Sequence, residues 1–207
     1  MKETYFVTGI STDVGKTVVA AIITQSLEAD YWKPVQAGEL DYTDSHKVSE
    51  WINNETSKIH ESSYLLNTPM SPHGAAEIDN IEISLNKIKR PNTQNHLVIE
   101  GAGGLLVPLN SKDLVIDLIK PTDKVIIVSK HELGSINHTF LTIEALQSRN
   151  LNIAGIIFNG DEVASTESII AEMSGVKIIG RLDPEPYIDT NVVNEYAEKF
   201  RKELTGA

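Results

Sequence analysis

The segment Gly9-Ile10-Ser11-Thr12-Asp13-Val14-Gly15-Lys16-Thr17 constrains this chain more than any other stretch. Before it, Thr4-Tyr5-Phe6-Val7-Thr8 is β-branched and aromatic, with the length of a buried strand. After it, Val18-Val19-Ala20-Ala21-Ile22-Ile23 runs on to Leu27 with neither Gly nor Pro, which suits a helix packed on a sheet. Strand, glycine-bearing turn and a helix that opens at Gly-Lys-Thr form the context of a phosphate-binding loop. The N–H groups of such a turn converge on an anion that the helix dipole also favours. In that reading Lys16 reaches the outer phosphates of a nucleotide and the Thr17 hydroxyl is a ligand for Mg²⁺. Five residues separate Gly9 from Gly15, one more than the common pattern, because position 10 is Ile rather than Gly. A glycine-containing turn that merely precedes a Lys-Thr helix start is the plainer alternative.

A second signal is His96-Leu97-Val98-Ile99-Glu100-Gly101-Ala102-Gly103-Gly104, an apolar strand that ends in a carboxylate and enters a glycine-rich turn. A Walker-B-type strand has this form: the acid holds the metal, and small residues let phosphates approach the backbone. The alternative is a buried strand closed by a flexible turn. Upstream, Tyr31-Trp32 suits a short strand that stops at Lys33-Pro34, since Pro34 ends pairing and biases Lys33 to an extended conformation. Loops leaving strand C-termini line the ligand crevice of a parallel sheet. Lys33 is therefore either a neighbour of the phosphate loop or a solvated lysine at a strand end. Asp44, in the acidic stretch 39–46, precedes a helix through Val48, Trp51 and Ile52. Its carboxylate either complements that helix's dipole or reaches a Mg²⁺ in the same crevice.

The stretch 53–90 is the least regular. Within it, 68–74 reads as a fixed loop, because Pro and Gly punctuate it closely, and 78–88 reads as a helix. Residues 125–128, 153–158 and 176–180 are apolar strands of the parallel-sheet kind. Ser135 is placed to cap a helix running to about Ser148, whose N-terminus suits a carboxylate as readily as a phosphate. Asn159, at the end of its strand, either reads a base edge or is a favoured turn residue. A turn at 182–186 precedes a closing amphipathic helix over 192–204. Strands alternate with helical patterns without repeat or linker. The expectation is α/β: one doubly wound, mostly parallel domain over residues 1–207.

Composition narrows the function. A net charge of −11 argues against a nucleic-acid partner, and no apolar run has the length of a membrane span. The N-terminus lacks a signal-peptide core, so a cytoplasmic location is expected. With no Cys, thiolate nucleophiles, disulfides and Cys-based metal sites are excluded. The six His residues fall in no metal-binding spacing, and neither a G-x-S-x-G elbow nor a dinucleotide fingerprint occurs.

Taken together, Thr12 to Thr17, Lys33-Pro34-Val35-Gln36, Asp44, Ser71-Pro72-His73, Glu100 to Gly104 and Leu133-Gly134-Ser135-Ile136-Asn137-His138 resemble the dethiobiotin synthetase family. The five-residue loop spacing is similar to that family's version, and the likeness runs from Tyr5 to about Glu185. It implies a P-loop ligase that joins CO₂ to 7,8-diaminopelargonic acid (7,8-diaminononanoate) with ATP and Mg²⁺, giving dethiobiotin, ADP and phosphate. By resemblance, Thr12, Asp13, Val14, Gly15, Lys16, Thr17 and Val18 hold the phosphates, with Gly101, Ala102 and Gly103 beside them. Thr17, Asp44 and Glu100 complete the Mg²⁺ site, and Lys33 and Lys16 are catalytic. Asn159, Gly160, Asp183, Pro184 and Glu185 match positions that hold the base. Lys33, Ala37, Ser71, Gly134, Ser135, Ile136 and Asn137 match substrate positions, the last four across a homodimer interface. Ala37 stands where many relatives carry Ser or Thr, and no aromatic in 161–175 matches one that some relatives place near the substrate carboxylate. The competing class is a partition- or septum-site-type switch ATPase. Those proteins carry a signature lysine early in the loop, where this chain has Ser11. A cobyrinate-type amide ligase needs a Cys nucleophile, and a GTPase needs N-K-x-D.

Overall fold

A computed structural model describes residues 2–206. Its strands are β1 (Thr4–Gly9), β2 (Asp30–Trp32), β3 (Val35–Ala37), β4 (Ile59–His60), β5 (Tyr64–Leu66), β6 (Leu97–Gly104), β7 (Lys124–Lys130), β8 (Asn152–Asn159) and β9 (Ile178–Leu182). The α-helices are α1 (Lys16–Leu27), α2 (Asp44–Trp51), α3 (Pro72–Ile78), α4 (Ser135–Gln147), α5 (Ala164–Ser174) and α6 (Thr190–Thr205). Seven strands form one sheet in the order β4-β2-β6-β1-β7-β8-β9, and every pairing is parallel. The doubly wound expectation is met.

A parallel sheet covered on both faces needs apolar strands without alternation. Tyr5-Phe6-Val7, Leu97-Val98-Ile99, Val125 to Val128 and Ile156-Ile157-Phe158 are all buried and form the core. On one face Tyr5 reaches α6 through its hydroxyl and the Leu204 carbonyl, and Ser26 of α1 donates to the Ala197 carbonyl of α6. Ser129 of β7 points to the other face, where its hydroxyl meets Thr139 of α4 at 2.8 Å. Helix α6 buries Val193, Tyr196, Ala197, Phe200 and Leu204, the stripe that 3.6-residue periodicity demands. The Asp189 carboxylate caps its start by accepting from the Asn191 and Val192 N–H groups.

After β1 the chain turns to one side for β2 and β4, returns through β6, and crosses to β7, β8 and β9 on the other. The C-terminal end of β1 is therefore the switch point at which an open α/β sheet leaves a crevice. Strands β3 and β5 leave the main sheet and pair with each other. Just ahead of β3, the Pro34 carbonyl accepts from the N–H groups of Ser63 (2.9 Å) and Tyr64 (3.1 Å) at the start of β5.

Four local expectations need correction. Residues 72–78 are helical, with Pro72 in the first turn, where a missing N–H is harmless. No helix spans 78–88: Asn80 takes φ +54°, and only a 3₁₀ turn at Leu85–Lys87 follows. Ser135 is not the cap of α4; Gly134 holds that place at φ +94°, and Ser135 is the first helical residue. Helix α5 fills a stretch for which no helix is foreseen.

Candidate active site

The loop after β1 is held in an unusual backbone path. Asp13 sits at φ +52°, which its short polar side chain tolerates, and Gly15 at φ +94°. A Cβ on Gly15 would lie 2.5 Å from the Asn159 amide nitrogen, so any other residue must displace that side chain and strain the backbone. That amide donates to the Val14 carbonyl at 2.9 Å, tying the loop to the end of β8. Lys16 opens α1, folds back over the loop and donates to the Ser11 carbonyl at 3.0 Å. No side chain caps α1. Its first N–H groups and the Lys16 ammonium thus face the same crevice, which suits an anion.

Beside this loop lies a cleft of about 1280 Å³, larger than one drug-sized ligand requires. Thr12, Asp13, Gly15, Lys16, Thr17 and Val18 line one wall. Lys33, Ala37, Asp44 and Ser71 line another, with Glu100, Ala102 and Gly103 between them. At its centre Lys33 donates to Glu100 Oε1 at 2.9 Å and to Asp44 Oδ2. Thr17 Oγ1 donates to the same Glu100 oxygen at 3.0 Å. Asp44 Oδ1 also accepts from Lys47 at 3.3 Å, and the Asp44 N–H is received by Gln36 Oε1. Beneath the cleft, Tyr31 Oη donates to Glu100 Oε2 at 2.7 Å.

Burial sets the charges here. It pulls the Lys33 ammonium down, but the Glu100 and Asp44 carboxylates more than offset it, so Lys33 ends above its ordinary value. Lys16, with carboxylates farther off, is left below the usual lysine value by the same burial. Burial also pushes the Asp44 carboxyl up, yet Lys33 and then Lys47 hold it below the usual range. Lys33 thus stays cationic, and Asp44 stays anionic.

The donor set suits Mg²⁺. This small hard cation takes oxygen ligands and is bound through one or two carboxylates together with substrate phosphates. Thr17, Asp44 and Glu100 offer a hydroxyl and two carboxylates beside the phosphate loop. Among the described residues no three His, Asp or Glu side chains close a protein-only cage.

Not every residue expected at the site lines the cleft. Val14 is buried beneath the loop, and Gly101 faces Phe6 in the core. Asn159, Gly160, Asp183, Pro184 and Glu185 lie beyond the cleft, at the neighbouring ends of β8 and β9. The Gly160 N–H donates there to the Leu182 carbonyl, and Tyr196 donates to Glu185 and accepts from the Asp183 N–H. Gly134, Ser135, Ile136 and Asn137 also fall outside, one turn ahead of His138 and Leu141, which do line it. The sequence reading missed Tyr31, Gln36 and Lys47. A tyrosine in a buried strand must find a partner for its hydroxyl, and that was the available signal for Tyr31.

A family model described as "AAA domain" matches residues 3–192. The chain is 58% identical over 204 residues to the ATP-dependent dethiobiotin synthetase BioD of Christiangramia forsetii, covering 99% of each. It is 50% identical over 198 residues to the protein of that name from Cytophaga hutchinsonii, covering 95% of this chain and 96% of that one. Solved structures with a similar fold include the septum site-determining protein MinD complexed with Mg-ADP from Pyrococcus horikoshii OT3 (TM-score 0.60, 12% identity, 99% and 95% covered). A plasmid partition protein from Borrelia burgdorferi is another (TM-score 0.56, 15% identity, 97% and 96% covered). At such identities these structures show the P-loop NTPase fold alone and do not favour the switch-ATPase reading. The identity along nearly the whole length settles the lineage: this chain belongs to the ATP-dependent dethiobiotin synthetase family.

Proposed function

We propose that this protein carboxylates 7,8-diaminopelargonic acid with CO₂ and closes the ureido ring at the expense of ATP, releasing dethiobiotin, ADP and phosphate. One amine adds to CO₂ and loses a proton, giving a carbamate. A carbamate oxygen attacks the γ-phosphorus, the bond to ADP breaks, and a carbamic–phosphoric anhydride forms. The second amine then attacks the carbamoyl carbon, closes the ring, loses a proton and expels phosphate. No protein nucleophile is needed, in keeping with a chain without Cys. What the protein must supply is positioning and fixed positive charge where two anions are driven together.

One observation carries this reading: the Lys33 ammonium sits beside the phosphate loop, buried and held by Asp44 and Glu100. In our reading it exchanges part of this contact for the carbamate and the transferring phosphoryl oxygens. Lys16 and the start of α1 hold the phosphates, and Asn159 with the 183–185 turn holds the base. Thr17, Asp44 and Glu100 would hold Mg²⁺, which would supply charge neutralisation at the phosphate oxygens. Ala37 and Ser71 face the diamine. We also read the protein as a homodimer acting in the cytoplasm, the whole chain forming one ligase unit. The exposed Leu106 and Leu141 at the cleft, with exposed Leu133 next to Gly134, support a partner surface, across which Gly134 to Asn137 receive the substrate carboxylate. Among the described residues no helix is long and apolar enough to cross a membrane.

The decisive experiment is a product assay with diamine, bicarbonate and MgATP. Dethiobiotin should form, and ATP turnover should require diamine and bicarbonate together. ATP hydrolysis that ignores the diamine and responds to DNA or lipid would overturn the proposal in favour of a switch ATPase.

A further inference from the structure

Glu100 is contacted from two sides. Its Oε1 accepts from Thr17 (3.0 Å) and Lys33 (2.9 Å), both of which line the cleft. Its Oε2 accepts from Tyr31 Oη at 2.7 Å, away from the cleft. Tyr31 is fully buried and Glu100 is 1% exposed, so neither group has water as an alternative partner. The contact follows from register. Tyr31 of β2 pairs with Val98 of β6, and Glu100 stands two residues farther along β6 on the same face.

We propose that Tyr31 is a positioning residue that keeps one oxygen of Glu100 out of the cleft, so that a divalent cation meets a one-oxygen carboxylate and the site favours Mg²⁺ over Ca²⁺. Small octahedral Mg²⁺ is satisfied by single carboxylate oxygens, whereas the larger Ca²⁺ gains from a carboxylate that presents both. A hydroxyl that claims Oε2 removes the second binding mode. The inference rests on the proposed role of Glu100 as a cation ligand and is independent of the diamine chemistry. Outer contacts of this kind commonly shift metal affinity by about 10- to 100-fold.

The test is ADP binding by the full chain, titrated with Mg²⁺ or Ca²⁺ in wild type and in Tyr31→Phe. In the variant the ratio of the Ca²⁺ midpoint to the Mg²⁺ midpoint should fall by about tenfold, while ADP binding without divalent ions stays unchanged. Midpoints that move together, leaving the ratio as in wild type, would mean that Tyr31 only packs, and would overturn the proposal. Wild-type ADP binding indifferent to both cations would remove the metal site itself and the proposal with it. A measurement that does not use Tyr31→Phe covers the case in which that variant does not fold. Infrared difference spectra on adding each cation with ADP, with the Glu100 band assigned through Glu100→Gln, should show one-oxygen carboxylate binding for both ions. A two-oxygen signature with Ca²⁺ in the wild type would equally overturn the proposal.

Discussion

Lys33 and Glu100, 67 positions apart in the chain, meet at 2.9 Å at the centre of the cleft. Each is almost entirely buried, and each has further partners: Asp44 for the lysine, Thr17 and Tyr31 for the glutamate. An isolated ion at either position would be strongly disfavoured, so the pair has to be understood as a unit.

Lys33→Gln tests the cationic half. The neutral amide keeps a donor near Glu100 but removes the charge that opposes two converging anions. Turnover of the diamine should fall by about 10²- to 10³-fold, as for loss of one oxyanion donor. Circular dichroism and a melting curve should still report a folded protein, somewhat less stable because the two carboxylates lose their cation. Wild-type turnover in the variant would remove Lys33 from the mechanism.

Glu100→Ala tests the anionic half. The Mg²⁺ concentration needed for nucleotide binding should rise by about tenfold or more. The change also leaves the buried Tyr31 hydroxyl without a partner, a destabilisation of about 1–3 kcal/mol, while Lys33 keeps Asp44. An Mg²⁺ titration identical to that of wild type would reduce Glu100 to a structural acid.

Gly15→Ala addresses the loop. The new methyl meets Asn159 at 2.5 Å in a backbone region at φ +94° that alanine resists by about 1–2 kcal/mol. Asn159 should be pushed off the Val14 carbonyl, and ATP affinity should drop about tenfold or more by calorimetry, an energy of about 1.4 kcal/mol or above. Unaltered affinity would show that the loop has room that its geometry denies.

Acid stability should depend on Asp30, far from the cleft. This fully buried carboxylate accepts from the Lys58 N–H (3.1 Å), Asn95 (2.9 Å) and His60 (2.8 Å). Burial pushes its carboxyl up, but the hydrogen bonds outweigh that effect and hold it below the usual range. The folded state therefore binds the proton less readily than the unfolded chain. The resulting stability is fully present above the unfolded value of about 3.9 and is lost as pH falls through the folded one. The advantage of wild type over Asp30→Asn in urea unfolding should shrink as pH falls below about pH 4. A difference that does not change with pH would remove Asp30 from the acid response.

The sequence disclosed most where one residue type answers one physical need. Gly15, Lys16 and Thr17 between a strand and a helix, and Glu100 at the end of an apolar run, were legible because local pattern alone places them. Helix α3 was hidden because Pro72 reads as a breaker until its place in the first turn is known. Helix α5 was hidden because Val163 offers no cap and only Ile170 is fully buried, so neither boundary nor stripe stands out. Tyr31 beneath Glu100 depends on β2 lying beside β6, a neighbour relation between distant segments that no local window contains. The ends of β8 and β9 illustrate the same limit. Their residues are readable one at a time, while their placement outside the cleft is a product of strand order.

The Pro34 carbonyl, held by the Ser63 and Tyr64 N–H groups, bears on the reacting end of the site. It anchors the residue that follows Lys33, in the two-residue link by which the chain passes from β2 in the large sheet to β3 in the small one. The backbone on the C-terminal side of that ammonium is thereby tied to β5, a strand that supplies none of the residues lining the cleft. Proline at 63 or 64, which has no N–H to give, would therefore loosen the backbone next to Lys33 from outside the cleft wall.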